Sequence, residues 1–398
     1  MLSLERDGFT AAQVKLALHH PHRRIDFRYE LLDKAGNKKA DLYNVLSGEI
    51  TQQALAVIKR TARFTLRDDG EINYLSDRIR PIVRIYVPDP INYGSYYAFF
   101  SQQFAPLIEE AKRGTKGGWV EFPMGEFLLS SPIRYEEGGQ VFREVDAYDG
   151  LTILNDDKFV EPYVIPAGTN YVDAVITILK GAGITKYNIE SSDKVTSKDI
   201  TFAIGKEKLF AINELLRGIN YESIHVDVNG YFTSAYYRSP TDRASEYDYF
   251  TDSESVVAGG YSEELDVFGL PNVWVVVVKA EEEEAPMEFT ANYTNDDPDN
   301  ILSTVNRGRN IVDYREIDNT ADQASLDAYT ERLAYEANQT FGKVEFETAL
   351  MPMHDYFDVF NVHFSDLDIS GKYSETAWTM PLVVGGRMKH EIRRTEFI

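Results

Sequence analysis

From Ile25 to Leu31 the apolar side chains fall at every second position, Ile25, Phe27, Tyr29 and Leu31, with Asp26, Arg28 and Glu30 between them. A period of two places alternate residues on opposite faces, which is the signature of a strand with one face buried. The turn residues Ala35-Gly36-Asn37 then lead into a second strand around Leu42–Val45. Strand patterns continue at Ala54–Leu66, Ile82–Val87, Trp119–Leu129 and Gln140–Tyr148, so residues 20–165 read as a β-rich domain of hairpins. A chain of 398 residues, 43% hydrophobic and 26% charged, can fill such cores, and its length predicts two to four domains.

Helical periodicity appears at four places. Thr10-x-x-Gln13 is a capping box for a short helix to His20, with Val14, Ala17 and Leu18 on one face. Asn170-x-x-Asp173 starts a helix with Val172, Val175 and Leu179 together, ended by Gly181. A further helix from about Lys206 carries Leu209, Ile212 and Leu216 and ends at Gly218. Asn229-Gly230, between Ile224–Val228 and Tyr231–Ala235, is a hairpin signal, so this region is an α/β unit. Residues 239–262 are polar and aromatic and read as a long ordered loop or linker. Val273–Val278 is a buried strand, the run Glu281–Glu284 a solvated tip before a strand at Phe289–Tyr293, and Asn295–Asn300 a turn. Thr320-x-x-Gln323 predicts a second capping box, for a helix carrying Leu326, Tyr329, Leu333 and Ala337. Strands at Phe341–Leu350, Phe357–His363, Ala377–Val384 and Arg387–Arg394 close the chain. The fold class is α+β, mainly β, in three parts: residues 1–165, an α/β part 166–290, and a helix-plus-β part 291–398.

One interruption stands out. Ile82–Val87 and Trp119–Phe122 pattern as hairpin partners, and a turn at Gly117-Gly118 would join them. Instead Pro88–Lys116 intervenes, with a helix near Phe99–Lys112. Its aromatic residues Tyr93, Tyr96, Tyr97, Phe99, Phe100 and Phe104 make it a candidate protein-interaction surface, the alternative being a cover for its own domain end.

Composition excludes several chemistries. With no cysteine there are no disulfides, thiolate nucleophiles, cysteine-ligated zinc sites or iron–sulfur clusters. A net charge of −23 opposes a surface built to grip nucleic acid or an anionic membrane. Glu5, Arg6, Asp7 and Lys15 interrupt any secretory signal pattern, and the six apolar residues Val273–Val278 fall far short of the ~20 that span a bilayer. A soluble protein without stable membrane insertion is expected.

The search for a catalytic set is negative. His19, His20 and His22 cluster around Pro21 and read as a solvated helix end. His225, His354, His363 and His390 lie on or near strands, outside any HExxH or HxH spacing. The adjacent acids Asp68-Asp69 and Asp156-Asp157 point apart in extended chain. Asp366-x-Asp368-x-Ser370-Gly371 has the start of an oxygen-ligand calcium loop, but Ala377 stands where the bidentate Glu is needed, which favours a plain hairpin loop. No enzyme activity, cofactor or resident metal is expected.

Several segments nevertheless resemble a known family. They are His22–Asp33 (HRRIDFRYELLD), Ile58–Leu66 (IKRTARFTL), Ile72–Pro81 (INYLSDRIRP), Trp119–Pro132 (WVEFPMGEFLLSSP) and Ala147–Leu151 (AYDGL). Together they resemble the tail-tip or baseplate hub proteins of tailed bacteriophages of Gram-positive hosts. The C-terminal helix, Pro352–Val362 and the last hairpin resemble the closing domain of such hubs. The resemblance implies two tail-tube-like β-barrel domains and a homotrimer, whose six barrels match a six-fold tube to a three-fold tip. It also implies a virion protein made in the host cytoplasm. Its expected partners are the distal tail or tube protein, the tape measure protein, other tail-tip proteins and DNA in transit. The Pro88–Lys116 insertion departs from relatives, which have a short turn there. Many relatives continue into a peptidoglycan-cleaving or receptor-binding domain, whereas this sequence ends at Ile398, so no enzymatic activity is carried over. Two alternatives remain: a carbohydrate-binding tail adhesin, which would place tyrosines in clefts, and a tail-tip cell-wall hydrolase.

Overall fold

A computed structural model describes residues 1–398 except 69, 71, 90–95, 101, 131, 253–254, 265–267, 280–288, 340–341 and 396–398. Helix α1 (Ala11–His19) opens with the capping box: the Thr10 hydroxyl accepts from the Gln13 N–H, and the Gln13 side chain accepts from the Thr10 N–H. Strands β1 (Ile25–Leu32), β2 (Lys38–Leu42), β3 (Val45–Gln53), β4 (Arg60–Arg67) and β5 (Arg78–Val87) follow. The strand expected at Leu42–Val45 is instead the break between β2 and β3. There the Asn44 backbone and side chain both bond the backbone of Arg67, and the chain turns. Helix α2 (Ala105–Ala111) lies in the insertion, shorter than expected and preceded by two 3₁₀ turns, Tyr97–Phe99 and Gln102–Phe104. Then come β6 (Gly118–Pro123), β7 (Phe127–Leu129), β8 (Ile133–Glu137) and β9 (Gln140–Tyr148). The expected pairing of β5 with β6 is present, from Ile82 opposite Pro123 to Val87 opposite Gly118.

The α/β core starts ahead of the expected boundary at 166, since Leu151, Leu154 and Ile165 belong to it: it holds α3 (Leu151–Asp156), β10 (Tyr163–Ile165), α4 (Tyr171–Gly181), β11 (Tyr187–Ile189), β12 (Ile200–Phe202), α5 (Lys208–Arg217), β13 (His225–Val226) and β14 (Phe232–Ser234). The Asn170 side chain accepts from the Val172 and Asp173 N–H groups and starts α4. Val175 and Leu179 of α4 meet Leu209, Ile212 and Leu216 of α5 in a core of their own.

Residues 239–262 are not a linker. They contain β15 (Tyr247–Phe250) and most of β16 (Val257–Glu264). Tyr247 and Tyr249 alternate with Asp248 and bury their rings, and β15 pairs parallel with a strand over a hundred residues later. Strands β17 (Val273–Val278) and β18 (Thr290–Thr294) pair antiparallel, Val273 opposite Thr294 through Val277 opposite Thr290, and the expected tip Glu281–Glu284 lies outside the described residues. Helix α6 (Thr304–Arg307) and β19 (Val312–Ile317) follow, then α7 (Gln323–Gln339). The cap of α7 is Asp322, whose carboxylate accepts from the Ser325 N–H; the Thr320 hydroxyl bonds the Asp322 carbonyl instead. Leu326, Tyr329 and Leu333 of α7 cover Trp274, Val276 and Val278 on one face of the β18–β17–β19 sheet. The chain closes with β20 (Lys343–Ala349), β21 (Val359–Phe364), β22 (Ile369–Pro381) and β23 (Arg387–Arg394).

The two β parts are one hydrogen-bonded body. Strand β22 pairs antiparallel with β3, Ala377 opposite Gln53 through Pro381 opposite Glu49, inside a 15-stranded sheet. One core runs through both, from Phe64, Phe122 and Phe127 to Phe346, Phe360 and Trp378. Burying rings of this size stabilises each by roughly 1.5–3 kcal/mol over exposure. Among the described residues, no helix is long and apolar enough to cross a membrane.

Candidate functional site

The aromatic insertion folds against its own chain. Tyr97 is buried in a small core with Ala12, Leu16 and Ala111, which docks α2 on α1. Tyr96 stacks on His20 with ring centroids 4.1 Å apart. Phe99 and Phe100 meet the same ring edge-on at 5.2 and 5.9 Å, and Phe104 lies 5.6 Å from His19. His20 is therefore no solvated helix end. It is 4% exposed because three aromatic rings enclose it, and that burial holds its pKa below the ordinary histidine value. The insertion also reaches the C-terminal part, where the Gln103 amide donates to Asp252 at 3.1 Å. Of the residues singled out in the sequence, Phe99 alone among the described ones is predominantly exposed, at 55%. Tyr93 lies outside the described residues.

Sequence spacing missed a buried polar cluster. His354 follows β20, Glu375 sits on β22 and His390 on β23, and all three are fully enclosed. The Nδ1 atoms of both histidines lie 2.6 Å from the two oxygens of Glu375. Beyond them, His354 Nε2 lies 2.6 Å from the Tyr249 hydroxyl and His390 Nε2 lies 2.8 Å from the Thr348 hydroxyl. The ligand atoms fall within 4.8 Å of one another, as a metal would require. The contact distances argue otherwise: ligands ~2.0–2.1 Å from a tetrahedral zinc stand ~3.3 Å apart. A 2.6 Å gap has room for a shared proton and not for an ion. One carboxylate between two imidazoles favours one imidazolium. Burial works against charging His354, but Glu375 and Asp358 prevail and push its pKa up to about 9; burial holds His390 down. The spacings of 21 and 15 residues match no local motif, so only the pairing of β22 with β23 reveals the cluster.

A second buried group joins the parts of the fold. The Arg60 side chain donates to Gln52 at 2.6 Å and to Asp355 at 2.5 Å, and packs over the Trp378 ring. Its backbone N–H donates to Asp149 at the head of α3, whose buried carboxyl is pushed up to about 6 by desolvation. Close by, His225 of the α/β part stacks on Tyr356 at 4.0 Å. Of the remaining acidic candidates, Asp69 lies outside the described residues and Asp157 pairs with Lys208. Asp68 pairs with Arg134 and Arg143. Asp366 accepts from the Tyr261 hydroxyl at 2.7 Å in the β21–β22 hairpin loop, where Asp368 takes a left-handed backbone with φ 54°.

No family model and no curated protein matches the chain. Solved structures do. The fold is similar to the tail protein from Neisseria meningitidis MC58, with a TM-score of 0.61 at 10% identity, covering 93% of this chain and 96% of that one. It is similar to the prophage MuSo2 43 kDa tail protein from Shewanella oneidensis, with a TM-score of 0.60 at 9% identity over 92% of this chain and 98% of that one. The prophage tail protein gp18 from Listeria monocytogenes EGD-e matches with a TM-score of 0.53 at 11% identity over 92% of this chain and 94% of that one. These matches, each spanning nearly both chains, define the architecture as the phage tail protein fold.

Proposed function

We propose that this chain is a structural virion protein of a phage tail tip, a homotrimeric hub that closes the tail tube and lines the channel through which DNA leaves. The observation that carries this reading is the β3–β22 seam, which fuses two β parts into one rigid body within a fold shared along its length with phage tail proteins. Two such parts per chain give three chains six, the number a six-fold tube presents to a three-fold tip. Closed cyclic symmetry is the usual way identical chains join. The buried polar clusters support a structural role, because their hydrogen-bonding atoms are occupied by the strands and lobes they join. Its partners are two further copies, the distal tail or tube protein, the tape measure protein and other tip proteins. DNA passes without specific binding. Three copies at −23 carry −69, and an acidic channel wall offers few cations for phosphates to stick to.

Negative-stain and cryo-electron microscopy of assembled tails test the reading. We expect a three-fold density for this chain at the tip around an open or plugged channel with an acidic wall. One or six copies per tip would overturn the hub, and a wall dominated by Lys and Arg would overturn the acidic channel.

A further inference from the structure

The tyrosines that the insertion does not use gather elsewhere. A cleft of about 930 Å³ opens between α7, the turn after α5 and residues 236–246, within the size range of ligand sites. Tyr236, Tyr237, Tyr293 and Tyr335 all line it. Their rings are held in place. Tyr236 stands edge-on to Tyr221 at 6.1 Å, and Tyr293 packs against Trp274 at 5.8 Å. The Tyr335 hydroxyl donates to the Thr395 carbonyl at 3.1 Å, and the Arg332 guanidinium lies 4.1 Å over the Tyr237 ring.

Two polar atoms beside the cleft, the Tyr237 hydroxyl and Asn220 Oδ1, are sealed from solvent and out of a ligand's reach. The acceptors open to a ligand on the cleft wall are the exposed carboxylates of Asp242 and Glu331.

The charges select the ligand class. Each arginine of the cleft already has a carboxylate: Arg238 with Glu190 at 3.6 Å, Arg243 with Glu246 at 3.6 Å and Arg332 with Glu336 at 2.7 Å. Phosphate or uronate would have to compete with those acids. Asp242 and Glu331 add carboxylate acceptors, the groups to which sugar hydroxyls donate. Fixed aromatic faces suit the C–H face of a pyranose ring, and rigid tyrosines contribute contact area at low entropic cost. A second cleft of about 660 Å³, lined by Ser191, Ser192 and Lys194, shares Tyr236 and Ala328 with the first and extends it.

We propose that this tyrosine cleft binds a neutral oligosaccharide of a cell surface, with Tyr236 and Tyr335 as stacking platforms and the Asp242 and Glu331 carboxylates as acceptors for its hydroxyls.

The full-length protein should be applied to an array of defined neutral and anionic oligosaccharides, followed by calorimetric titration of the best neutral one. We expect binding to neutral members, weakened at least tenfold by Tyr236→Ala. Asp242→Ala should weaken it about fivefold without lowering Tm, because that carboxylate is exposed on the cleft wall. Tyr43→Ala, on an exposed loop outside the cleft, should leave binding unchanged. An array on which no neutral sugar binds, binding that survives both cleft variants, or preference for anionic members would overturn the proposal. So would binding of peptides from a parallel 15-residue peptide array that is lost with Tyr236→Ala, which would make the cleft a peptide groove.

Discussion

Arg60 and Asp355 stand 295 residues apart in sequence and 2.5 Å apart in space, and the fold turns on their contact. Arg60 is 1% exposed, so its guanidinium is out of water and depends on Gln52, Asp355 and the Met124 carbonyl. Removing one partner of a buried pair leaves the rest uncompensated, at about 3–5 kcal/mol. Arg60→Ala should therefore lower stability by that order, seen as an earlier urea transition in the fluorescence of Trp378, the ring beneath it. Asp355→Asn keeps a hydrogen-bond acceptor at a partly exposed site and should cost less. Equal midpoints for wild type and Arg60→Ala would show that the seam does not depend on this group.

Gly230 carries a constraint beyond its turn. It sits at φ +82°, and a Cβ there would stand 2.7 Å from the carboxylate of Glu126, which is buried against Arg80 and Lys186. Gly138 also has a positive φ, +61°, but its Cβ would meet open space. Alanine at either site bears the left-handed backbone cost of about 1–2 kcal/mol. Only Gly230→Ala must also displace Glu126, so it should destabilise more than Gly138→Ala. Calorimetry of the two variants decides this, and equal melting points would sink the argument.

What the sequence disclosed, and what it concealed, divides by range. The capping box Thr10/Gln13, the Asn170 cap, the Asn229-Gly230 turn and the β5–β6 pairing were legible because each depends on neighbours or on alternation. Strand β15 was hidden: Tyr247 and Tyr249 alternate correctly, but the surrounding Ser, Thr and Asp residues have the composition of a loop. Its partner, β21, was legible as the strand at Phe357–His363, but nothing local ties the two together across more than a hundred residues. His20 looked solvated because its aromatic neighbours come from a segment some eighty residues later. The Glu375 cluster and the tyrosine cleft were illegible for the same reason. Their members stand on different elements, and only the register of β20, β22 and β23 and the docking of α7 bring them together.

The His354–Glu375 pair should set an alkaline limit on stability. An unfolded histidine titrates near 6.5, whereas His354 in place is pushed up to about 9. The folded state therefore holds the proton more tightly. The contribution is complete below pH 6.5 and is lost as pH rises through about 9, a change of about 3 kcal/mol at most. His390 works in the opposite sense: burial lowers its pKa, so its contribution fades as pH falls below 6.5. Stability should be greatest near pH 6.5–7 and decline toward 9. Urea midpoints measured across this range check it, and His354→Gln should flatten the alkaline limb. A limb that persists in His354→Gln would assign it to other groups.

Phe99 tests whether the insertion serves an interface as well as its own chain. The 29 residues 88–116 need offsetting contacts, since ordering a backbone costs ~1–2 kcal/mol per residue. Tyr97 and its neighbours supply part of this by covering Ala12 and Leu16 on α1. Replacing residues 89–116 with Gly-Gly would strip that cover and confound folding with assembly. Phe99 separates the two, because it is 55% exposed and, among the described residues, its ring contacts are with His20 and His22. Phe99→Ser should change stability by no more than about 0.5 kcal/mol, as is usual for exposed positions. If the insertion docks on a neighbouring subunit or another tail protein, the same variant should lower the yield of complete tails at least tenfold, scored by electron microscopy and plaque titre. Full infectivity from Phe99→Ser, with unchanged melting, would mean that the insertion is only a cover for α1.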